Sequence, residues 1–145
     1  MNPDIRRVPL ADVLPLRQAI LRPTQSVDEL TFDGDEDPEA VHLAVGDPIV
    51  GITSVVPTAH PAGGPGGWRI RMVGVVEERR GAGIGARLVS SALECARERD
   101  ADEVWLSARL PLREWYEALG FEAFGEVYEK PPVGPHLDMR RSLGG

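Results

Sequence analysis

The stretch from Arg80 to Gly85 reads R-G-A-G-I-G, and it joins an expected strand to an expected helix. The apolar run of residues 70–76 precedes it, and the amphipathic run of residues 83–99 follows it. The stripe of this helix that we expect to be buried holds Ile84, Leu88, Ala92 and Cys95. A glycine-rich turn that opens a helix presents unpaired backbone N–H groups at the positive end of the helix dipole. The sequence therefore predicts a phosphate-binding turn at this point.

Upstream of this turn, the pattern predicts one helix between short strands. Residues 5–8 form the first expected strand, and residues 12–21 have helical spacing. Pro15 fits such a helix only in its first turn, because an interior proline removes a backbone hydrogen bond. Two β-rich runs, residues 41–45 and 48–56, flank a Gly-Asp pair, which is typical of a hairpin.

Downstream of the turn and its helix, the pattern predicts a strand, a short helix and two last strands. The strand is expected at residues 103–108. Residues 112–119 have the i, i+3, i+4, i+7 spacing of a helix, which Gly120 is expected to end. The last two strands are expected at residues 121–128 and 136–140.

The order of these elements predicts a mixed α/β fold rather than a regular doubly wound sheet. We expect a mostly antiparallel central sheet of about six to seven strands, flanked by about three to four helices. Residues 1–140 are expected to form a single domain. Within it, the Gly- and Pro-rich residues 60–67 predict a surface loop, and residues 141–145 after it predict a loose tail.

The composition limits the classes of protein to which the chain can belong. A length of 145 residues suits one domain, and a formal charge of −7 with a pI near 5.0 argues against a nucleic-acid partner. No apolar run reaches the roughly 20 residues that cross a bilayer. Cys95 is the only cysteine, which excludes an internal disulfide and a multi-cysteine zinc site. We therefore expect a cytoplasmic monomer or homodimer with no metal, membrane or nucleic-acid partner.

Two glycine-rich phosphate sites are poor matches to this turn. A P-loop requires a lysine directly after its glycines, but Lys130 is the only lysine of the chain. Gly81, Gly83 and Ala86 satisfy the dinucleotide spacing G-x-G-x-x-[GA]. However, that fold places an acidic residue after the next strand, where this chain has Ser-Ala-Arg at residues 107–109.

A third pattern fits better. The spacing Arg80-x-x-Gly83-x-Gly85 resembles the [QR]-x-x-G-x-[GA] pyrophosphate loop of the GCN5-related N-acetyltransferase (GNAT) superfamily. The run W-Y-E-A-L-G-F at residues 115–121 resembles the second signature of that superfamily, an aromatic-Tyr helix that ends in Gly-Phe. The resemblance covers about residues 5–140. Shorter pieces, such as V-H-L at residues 41–43 and P-H-L-D-M at residues 135–139, are similar to its ElaA-like bacterial branch.

This resemblance implies acetyl-CoA as a cosubstrate. Its diphosphate would lie on the backbone N–H groups of Arg80, Gly81, Ala82, Gly83, Ile84, Gly85 and Ala86. Arg79 and Arg87 would add local positive charge. The resemblance further implies that the pantetheine arm pairs with the backbone of Val73 and Val75, and that one of their N–H groups stabilises an oxyanion.

Tyr116 is the residue that the resemblance implies as general acid toward the departing thiolate. The alternative is that Tyr116 belongs only to the apolar stripe of its helix. The general base is left open. Ser107 stands where many relatives have a base Glu, and it cannot serve as one. The substitutes that we consider are His42, His136 and a water held by Glu78 or by the acidic segment of residues 28–39.

The sequence thus predicts an N-acetyltransferase, in which the primary amine of a small molecule or peptide attacks acetyl-CoA directly through a tetrahedral intermediate. The alternative is a non-catalytic domain that binds or senses acetyl-CoA or supports a partner. The acidic segment of residues 28–39 has two interpretations, as a lining of the acceptor mouth that attracts a cationic amine or as a solvated loop.

Overall fold

In the computed structural model, which describes residues 5–61 and 67–143, one sheet contains eight described strands. They are β1 (Ile5–Val8), β2 (Val41–Val45), β3 (Gly51–Pro57), β4 (Trp68–Val75), β5 (Glu103–Arg109), β6 (Glu122–Ala123), β7 (Tyr128–Lys130) and β8 (Gly134–Ser142). The strand order is β1-β2-β3-β4-β5-β8-β6, and β7 also pairs with β8. All pairs are antiparallel except β4 with β5. The predicted mixed, mostly antiparallel sheet is confirmed.

Three α-helices pack against this sheet within the described part of the chain. They are α1 (Leu10–Leu16), α2 (Ile84–Glu98) and α3 (Arg113–Ala118). Arg17–Leu21 forms a π-helical turn. Three 3₁₀ turns lie at Val27–Leu30, Glu77–Arg79 and Leu110–Leu112. The predicted stripe of α2 is buried, together with Val89, Leu93 and Ala96 on the same side.

Pro15 lies inside α1, so the prediction that it occupies the first turn is wrong. The helix begins at Leu10, two residues earlier than the spacing indicated. Because Pro15 has no N–H to donate, the regular ladder weakens toward its end. The chain then widens into the π-helical turn, where the N–H of Arg22 donates to the carbonyl of Arg17 at 2.9 Å.

The core lies on both faces of the central strands. Along β2, Leu43 and Val45 pack in the cluster that contains α2, whereas Ala44 packs with Val13 of α1 on the opposite face. Alternating side chains of a strand point to opposite faces, so burial on both sides makes β2 apolar along its whole length. All five of its residues are buried.

The C-terminal third differs from the sequence-based prediction. The strand expected at residues 121–128 is two short strands, β6 and β7, separated by a segment in which Gly125 has φ +80°. This split raises the strand count to eight. The strand β8 continues through Arg141 and Ser142, which pair with Val104 and Glu103, so these two residues belong to the sheet rather than to a loose tail. Residues 144–145 lie outside the described residues.

Two other predicted segments are the second strand of the hairpin and the loop of residues 60–67. The hairpin between β2 and β3 has the predicted position, but β3 begins at Gly51 because residues 46–50 form the turn, closed by a 2.8 Å bond from the Val50 N–H to the Val45 carbonyl. The predicted loop of residues 60–67 falls largely on residues 62–66, which lie outside the described ranges.

A β-bulge in β4 separates this strand from β5. Between the pairs Ile52–Gly74 and Ser54–Arg71, β4 contains one residue more than β3, and Met72 has φ +57°. Two residues opposite one increase the local twist and bend the strand. The parallel pairing of β4 with β5 therefore covers only Trp68–Val104 and Arg69–Trp105, after which the two strands diverge.

Candidate active site

The opening between β4 and β5 contains two adjoining cavities. The larger, of about 920 Å³, is lined by β4, β5, the π-helical turn, the start of α3 and the connection from β7 to β8. The smaller, of about 430 Å³, is lined by the end of β4, the glycine-rich turn, the start of α2 and α3. They share Val73, Gly74, Val75, Arg80, Leu112 and Tyr116. The second half of β4 is therefore the wall at which the two cavities meet.

The glycine-rich turn exposes the N-terminus of α2. Gly81 and Gly83 both have φ +83°, a conformation that other residues rarely adopt, although a side chain would meet no atom there. Gly83 is the N-cap, and no side chain caps the helix. The N–H of Arg87 donates to the Gly83 carbonyl at 3.1 Å. The N–H groups of the three residues between them have no acceptor within the helix and are available to an anion.

Gly85 is required by a close approach rather than by its backbone angles. A Cβ atom at this position would lie 3.3 Å from the Trp115 ring, which lines the smaller cavity. The side chain of Trp115 is 37% exposed, so this ring forms an accessible apolar wall beside the turn. Arg80 folds back over the same cavity, and its Nε donates to the Val75 carbonyl at 3.0 Å.

The structure brings most of the predicted cosubstrate residues together. The smaller cavity is lined by Val73, Val75, Arg79, Arg80, Gly81, Gly83, Ile84, Gly85 and Ala86. Ala82 and Arg87, the other two predicted residues, do not line this cavity. Beyond Arg69, the edge of β4 that faces β5 has no described strand as a partner. The contact of these residues with a cosubstrate stays a prediction.

Tyr116 lies where the two cavities join. It is 7% exposed, and its ring packs edge-on against Trp115 at 4.9 Å and Phe121 at 5.8 Å between centroids. Burial raises the pKa of Tyr116 to about 12, against a smaller opposing effect of Arg109. The phenol is therefore protonated at neutral pH and can donate a proton or a hydrogen bond. Tyr116 belongs to the apolar core as well, so the two interpretations of this residue are compatible.

Of the groups considered as a base, only His136 lines the larger cavity. Its Nδ1 lies 2.8 Å from the Gly134 carbonyl, which accepts a proton but cannot donate one, so Nδ1 carries the hydrogen and Nε2 has a lone pair. Burial, followed by the positive charges of Lys130, Arg22 and Arg109, lowers the pKa of His136. The ring is thus neutral near pH 7, as a base must be.

His42 and Glu78 lie elsewhere. The Nδ1 of His42 is 2.7 Å from the Ser54 hydroxyl, and its Nε2 is 3.0 Å from the Asp35 carbonyl, in a buried site away from both cavities. Burial lowers the pKa of His42. Glu78 lines neither cavity. The structure therefore supports a structural role for His42.

Sequence reasoning missed the charge of the larger cavity. No described residue that lines it is acidic. Six of the lining residues are basic: Arg22, Arg69, Arg71, Arg80, Arg109 and Lys130. This concentration of positive charge occurs in a chain whose formal charge is −7. The six residues come from five separate segments of the sequence, with only Arg69 and Arg71 on the same strand, so no local run of charge predicts the cluster. Only the fold brings them together.

The positive charges crowd one another. Burial, followed by the neighbouring Arg69, lowers the pKa of Arg71 to about 10. Burial, followed by Arg69, Arg22 and Arg71, lowers the pKa of Lys130 to about 8. The negative charge of Asp138 opposes the shift of Lys130, but Asp138 does not line the cavity. A bound anion would relieve this repulsion.

The acidic segment of residues 28–39 contributes only Phe32 to the described cavity lining. Asp35 instead forms a fully buried, two-pronged pair with Arg17, at 2.7 and 3.1 Å. The carbonyl of Leu30 and the hydroxyl of Ser54 also accept from this guanidinium. The structure thus favours the loop interpretation over an acidic acceptor mouth.

Comparison with known proteins places the chain in a family. Residues 11–121 match the Acetyltransferase (GNAT) family. The chain belongs to this family. The chain is 27% identical to YitI of Bacillus subtilis (strain 168), a protein named as an uncharacterized N-acetyltransferase, over 97% of this chain and 96% of YitI. The resemblance proposed from the two signatures is therefore confirmed.

Two solved structures of GNAT-like folds are similar along nearly the whole chain. Escherichia coli ElaA superposes with a TM-score of 0.76 at 23% identity, over 95% of this chain and 98% of ElaA. An acyl-CoA N-acyltransferase from Pseudomonas aeruginosa superposes with a TM-score of 0.75 at 28% identity, over 96% and 99% of the two chains. GNAT membership supports an acyltransferase that uses a CoA-type cosubstrate.

Two features were expected to be absent, a metal site and a membrane-spanning segment. The described residues contain no group of three or more His, Cys, Asp or Glu side chains that could hold a metal ion. No helix within the described ranges is long and apolar enough to cross a membrane. The cytoplasmic location and the oligomeric state stay predictions.

Proposed function

We propose that this GNAT protein transfers an acetyl group from acetyl-CoA to the amine of a small molecule that also carries an anionic group. The single observation that carries the second half of the proposal is the lining of the larger cavity, which has six positive side chains and, among the described residues, no acidic one. An acceptor that is only a cation would be repelled from such a site, whereas a carboxylate or phosphate would be attracted.

The donor side of the site fits acetyl-CoA. The uncapped N–H groups at the start of α2 suit its diphosphate, and the unpaired edge of β4 suits the amides of its pantetheine arm. Bound there, acetyl-CoA supplies an activated acetyl thioester. The backbone N–H group of either Val73 or Val75 is the donor that we assign to the developing oxyanion.

The acceptor side supplies a base and a lower amine pKa. A free amine with a pKa of about 10 is almost wholly protonated at pH 7. The surrounding positive charges disfavour the ammonium form, so they lower that pKa in the cavity. As the amine nitrogen attacks the thioester carbon, His136 Nε2 accepts the N–H proton that this nitrogen loses, directly or through one water.

Tyr116 completes the reaction. When the tetrahedral intermediate collapses, the C–S bond breaks and the thiolate of CoA leaves. The Tyr116 phenol, protonated and placed at the junction of the two cavities, donates to this sulfur. The products are the N-acetylated acceptor and CoA.

The experiment is a thiol-release assay with acetyl-CoA and matched pairs of acceptors. Phosphoethanolamine is compared with ethanolamine, and β-alanine with β-alaninamide, so that only one member of each pair carries an anionic group. We expect kcat/KM to be about tenfold higher or more for the anionic member of a pair, the value of one charge-assisted hydrogen bond. The two pairs also distinguish a phosphate from a carboxylate as the preferred anion.

Other results would contradict the proposal in separable ways. Equal or higher kcat/KM for the members that lack the anionic group would remove the anionic acceptor and keep the acetyltransferase. If calorimetry shows that acetyl-CoA binds but no amine consumes it, the non-catalytic alternative holds. If neither acetyl-CoA nor CoA binds, both functions fail.

A further inference from the structure

We infer that Asp138, which does not touch the cavity itself, is the positioning residue that holds Arg69 and the Lys130 strand in place for an anionic acceptor. This inference rests on the proposed function, since the positioned groups are its anion-binding cations. It assigns a role to a partly buried carboxylate that the reaction described above does not use.

The Asp138 carboxylate accepts three hydrogen bonds from three parts of the chain. Its Oδ1 accepts from the hydroxyl of Tyr128 at 2.7 Å and from the hydroxyl of Ser107 at 2.9 Å. Its Oδ2 lies 2.7 Å from Nε2 of His60. Burial alone would raise the pKa of Asp138, but these hydrogen bonds outweigh it and lower the pKa, so the carboxylate is ionised.

One arm of this network reaches Arg69. Ser107 lies opposite Asp138 in the β5–β8 register, and its hydroxyl oxygen accepts from Nη2 of Arg69 at 3.1 Å. The same guanidinium lies 4.3 Å from the Trp105 ring centre. The Ser107 O–H donates its hydrogen bond to Asp138, so the oxygen lone pairs of Ser107 are available to the guanidinium. Ser107 thus connects the Asp138 carboxylate to a cation of the cavity.

The second arm reaches the strand that carries Lys130. Tyr128 is the first residue of β7, Lys130 is the last, and no hydrogen bond or ion pair fixes the Lys130 ammonium within the described residues. The backbone of β7 pairs with β8, and the bond from Tyr128 to Asp138 adds a side-chain restraint at the start of this three-residue strand. Tyr128 also faces His136 across the β7–β8 pair, with ring centroids 6.1 Å apart. Asp138 thus sets the position of Lys130 and of the ring beside the proposed base.

A positioning role and a purely electrostatic role predict opposite results for Lys130. Asp138 favours the charged form of Lys130, so loss of its charge alone would lower the Lys130 pKa further below about 8. If Asp138 instead holds β7 over the cavity, its loss lets Lys130 move away from the arginines into water. The Lys130 pKa would then rise toward its usual 10.5.

The experiment uses Asp138→Asn and Tyr128→Phe in the full chain, labelled with ¹⁵N-lysine. Because Lys130 is the only lysine, its Nζ gives a single side-chain signal whose pH titration reports one pKa. We expect the midpoint to rise in both variants. With phosphoethanolamine we expect KM to rise about tenfold, while kcat and the KM for acetyl-CoA change by less than about threefold. Glu129→Gln removes an exposed carboxylate from the same strand, and it should change neither reading.

Tyr128→Phe keeps the inference testable if Asp138→Asn fails to fold, because it removes only one hydroxyl from a residue that is 37% exposed. A Lys130 midpoint that falls or stays near 8 in Tyr128→Phe would overturn the inference. Equal losses in kcat and in both KM values would also overturn it, because they indicate a general structural role. If wild-type protein acetylates no anionic amine, the proposed function fails, and the Lys130 titration still tests the positioning of β7.

Discussion

The guanidinium carbon of Arg71 lies 4.9 Å from the centre of the Phe32 ring, and the buried Nε of Arg71 has no hydrogen-bond partner among the described residues. Stacking on a ring fixes a guanidinium without neutralising it. The Phe32 ring centre also lies 5.7 Å from the guanidinium carbon of Arg17, which the buried pair with Asp35 holds in place. Arg71 is thus a fixed positive charge on the cavity wall, where it attracts an anionic ligand.

The first prediction concerns Arg71→Gln. We expect KM for phosphoethanolamine to rise about tenfold or more, because one charge-assisted hydrogen bond is lost. The KM for acetyl-CoA should not change, since Arg71 does not line the smaller cavity. Steady-state kinetics with the two substrates varied in turn make this measurement.

Arg97→Gln is the matched control for that variant. Arg97 lies on α2, and its one ion pair with a described residue is the surface contact with Glu94 at 3.4 Å. Its loss therefore changes the net charge by the same amount without touching the cavity. A similar rise of KM in both variants would indicate a general charge effect and contradict a specific role of Arg71.

The second prediction is that Lys130 titrates near pH 8 and that anionic ligands raise this value. Its cavity neighbours Arg22, Arg69 and Arg71 oppose its charge, and only Asp138 among its main partners favours it. Below about pH 8 the ammonium attracts an anion; above it the neutral amine does not. The KM for phosphoethanolamine should therefore rise as the pH rises through 8, and ¹⁵N titration with and without this ligand measures the shift. A midpoint near 10.5 would contradict the crowding of charges described here.

Local features of the chain explain why the turn and its helix could be predicted. Gly81 and Gly83 adopt the positive φ angles that glycine permits, and the apolar stripe of α2 is a property of contiguous residues. The two signatures, at residues 80–85 and 115–121, likewise indicate the family without any knowledge of tertiary contacts. Such signals are short in range, so a single sequence contains them.

Features that depend on pairing partners could not be predicted in this way. Residues 121–128 have strand-like composition, yet β6 and β7 form separate pairs with β8 because Gly125 bends the chain between them. Arg141 and Ser142 look like a polar tail, yet β5 offers them backbone partners. The cation-lined cavity exists only because the β4 bulge separates two strands. Each of these outcomes is decided by tertiary geometry.

The third prediction tests Tyr116 as the proton donor. In Tyr116→Phe we expect turnover to fall about tenfold or more, since a positioned proton transfer contributes roughly 10²–10⁴ in rate. CoA binding, measured by calorimetry, should remain, because the phenyl ring keeps its packing against Trp115 and Phe121. With the pKa of Tyr116 at about 12, the wild-type rate should show no loss from phenol ionisation below about pH 11. Unchanged turnover in the variant would remove Tyr116 from the mechanism.

The fourth prediction assigns the acidic limb of the pH–rate profile to His136. A base acts only when unprotonated, and the pKa of His136 lies below its ordinary value of 6.5. Activity governed by this group is therefore full above pH 6.5 and is lost as the pH falls through the lowered pKa. In His136→Gln we expect a lower kcat/KM and no such limb.

His42→Gln serves as the comparison for that profile, because His42 also has a lowered pKa but lies away from both cavities. This variant should keep the acidic limb wherever the protein remains folded. If the limb disappears in His42→Gln and persists in His136→Gln, the assignment of the base is wrong.

The last prediction concerns the pair that supports Phe32. In Asp35→Asn, the buried Arg17 guanidinium keeps its charge and loses its counter-charge, and both side chains are fully buried in the wild-type protein. We expect the free energy of unfolding, measured by urea denaturation, to fall by about 3–5 kcal/mol. The exposed Asp28 lies in the same segment, and Asp28→Asn should change it by less than about 0.5 kcal/mol. Equal, small losses in the two variants would mean that water or a neighbouring group compensates the Arg17 charge, and the rigid support of Phe32 and Arg71 would then have no basis.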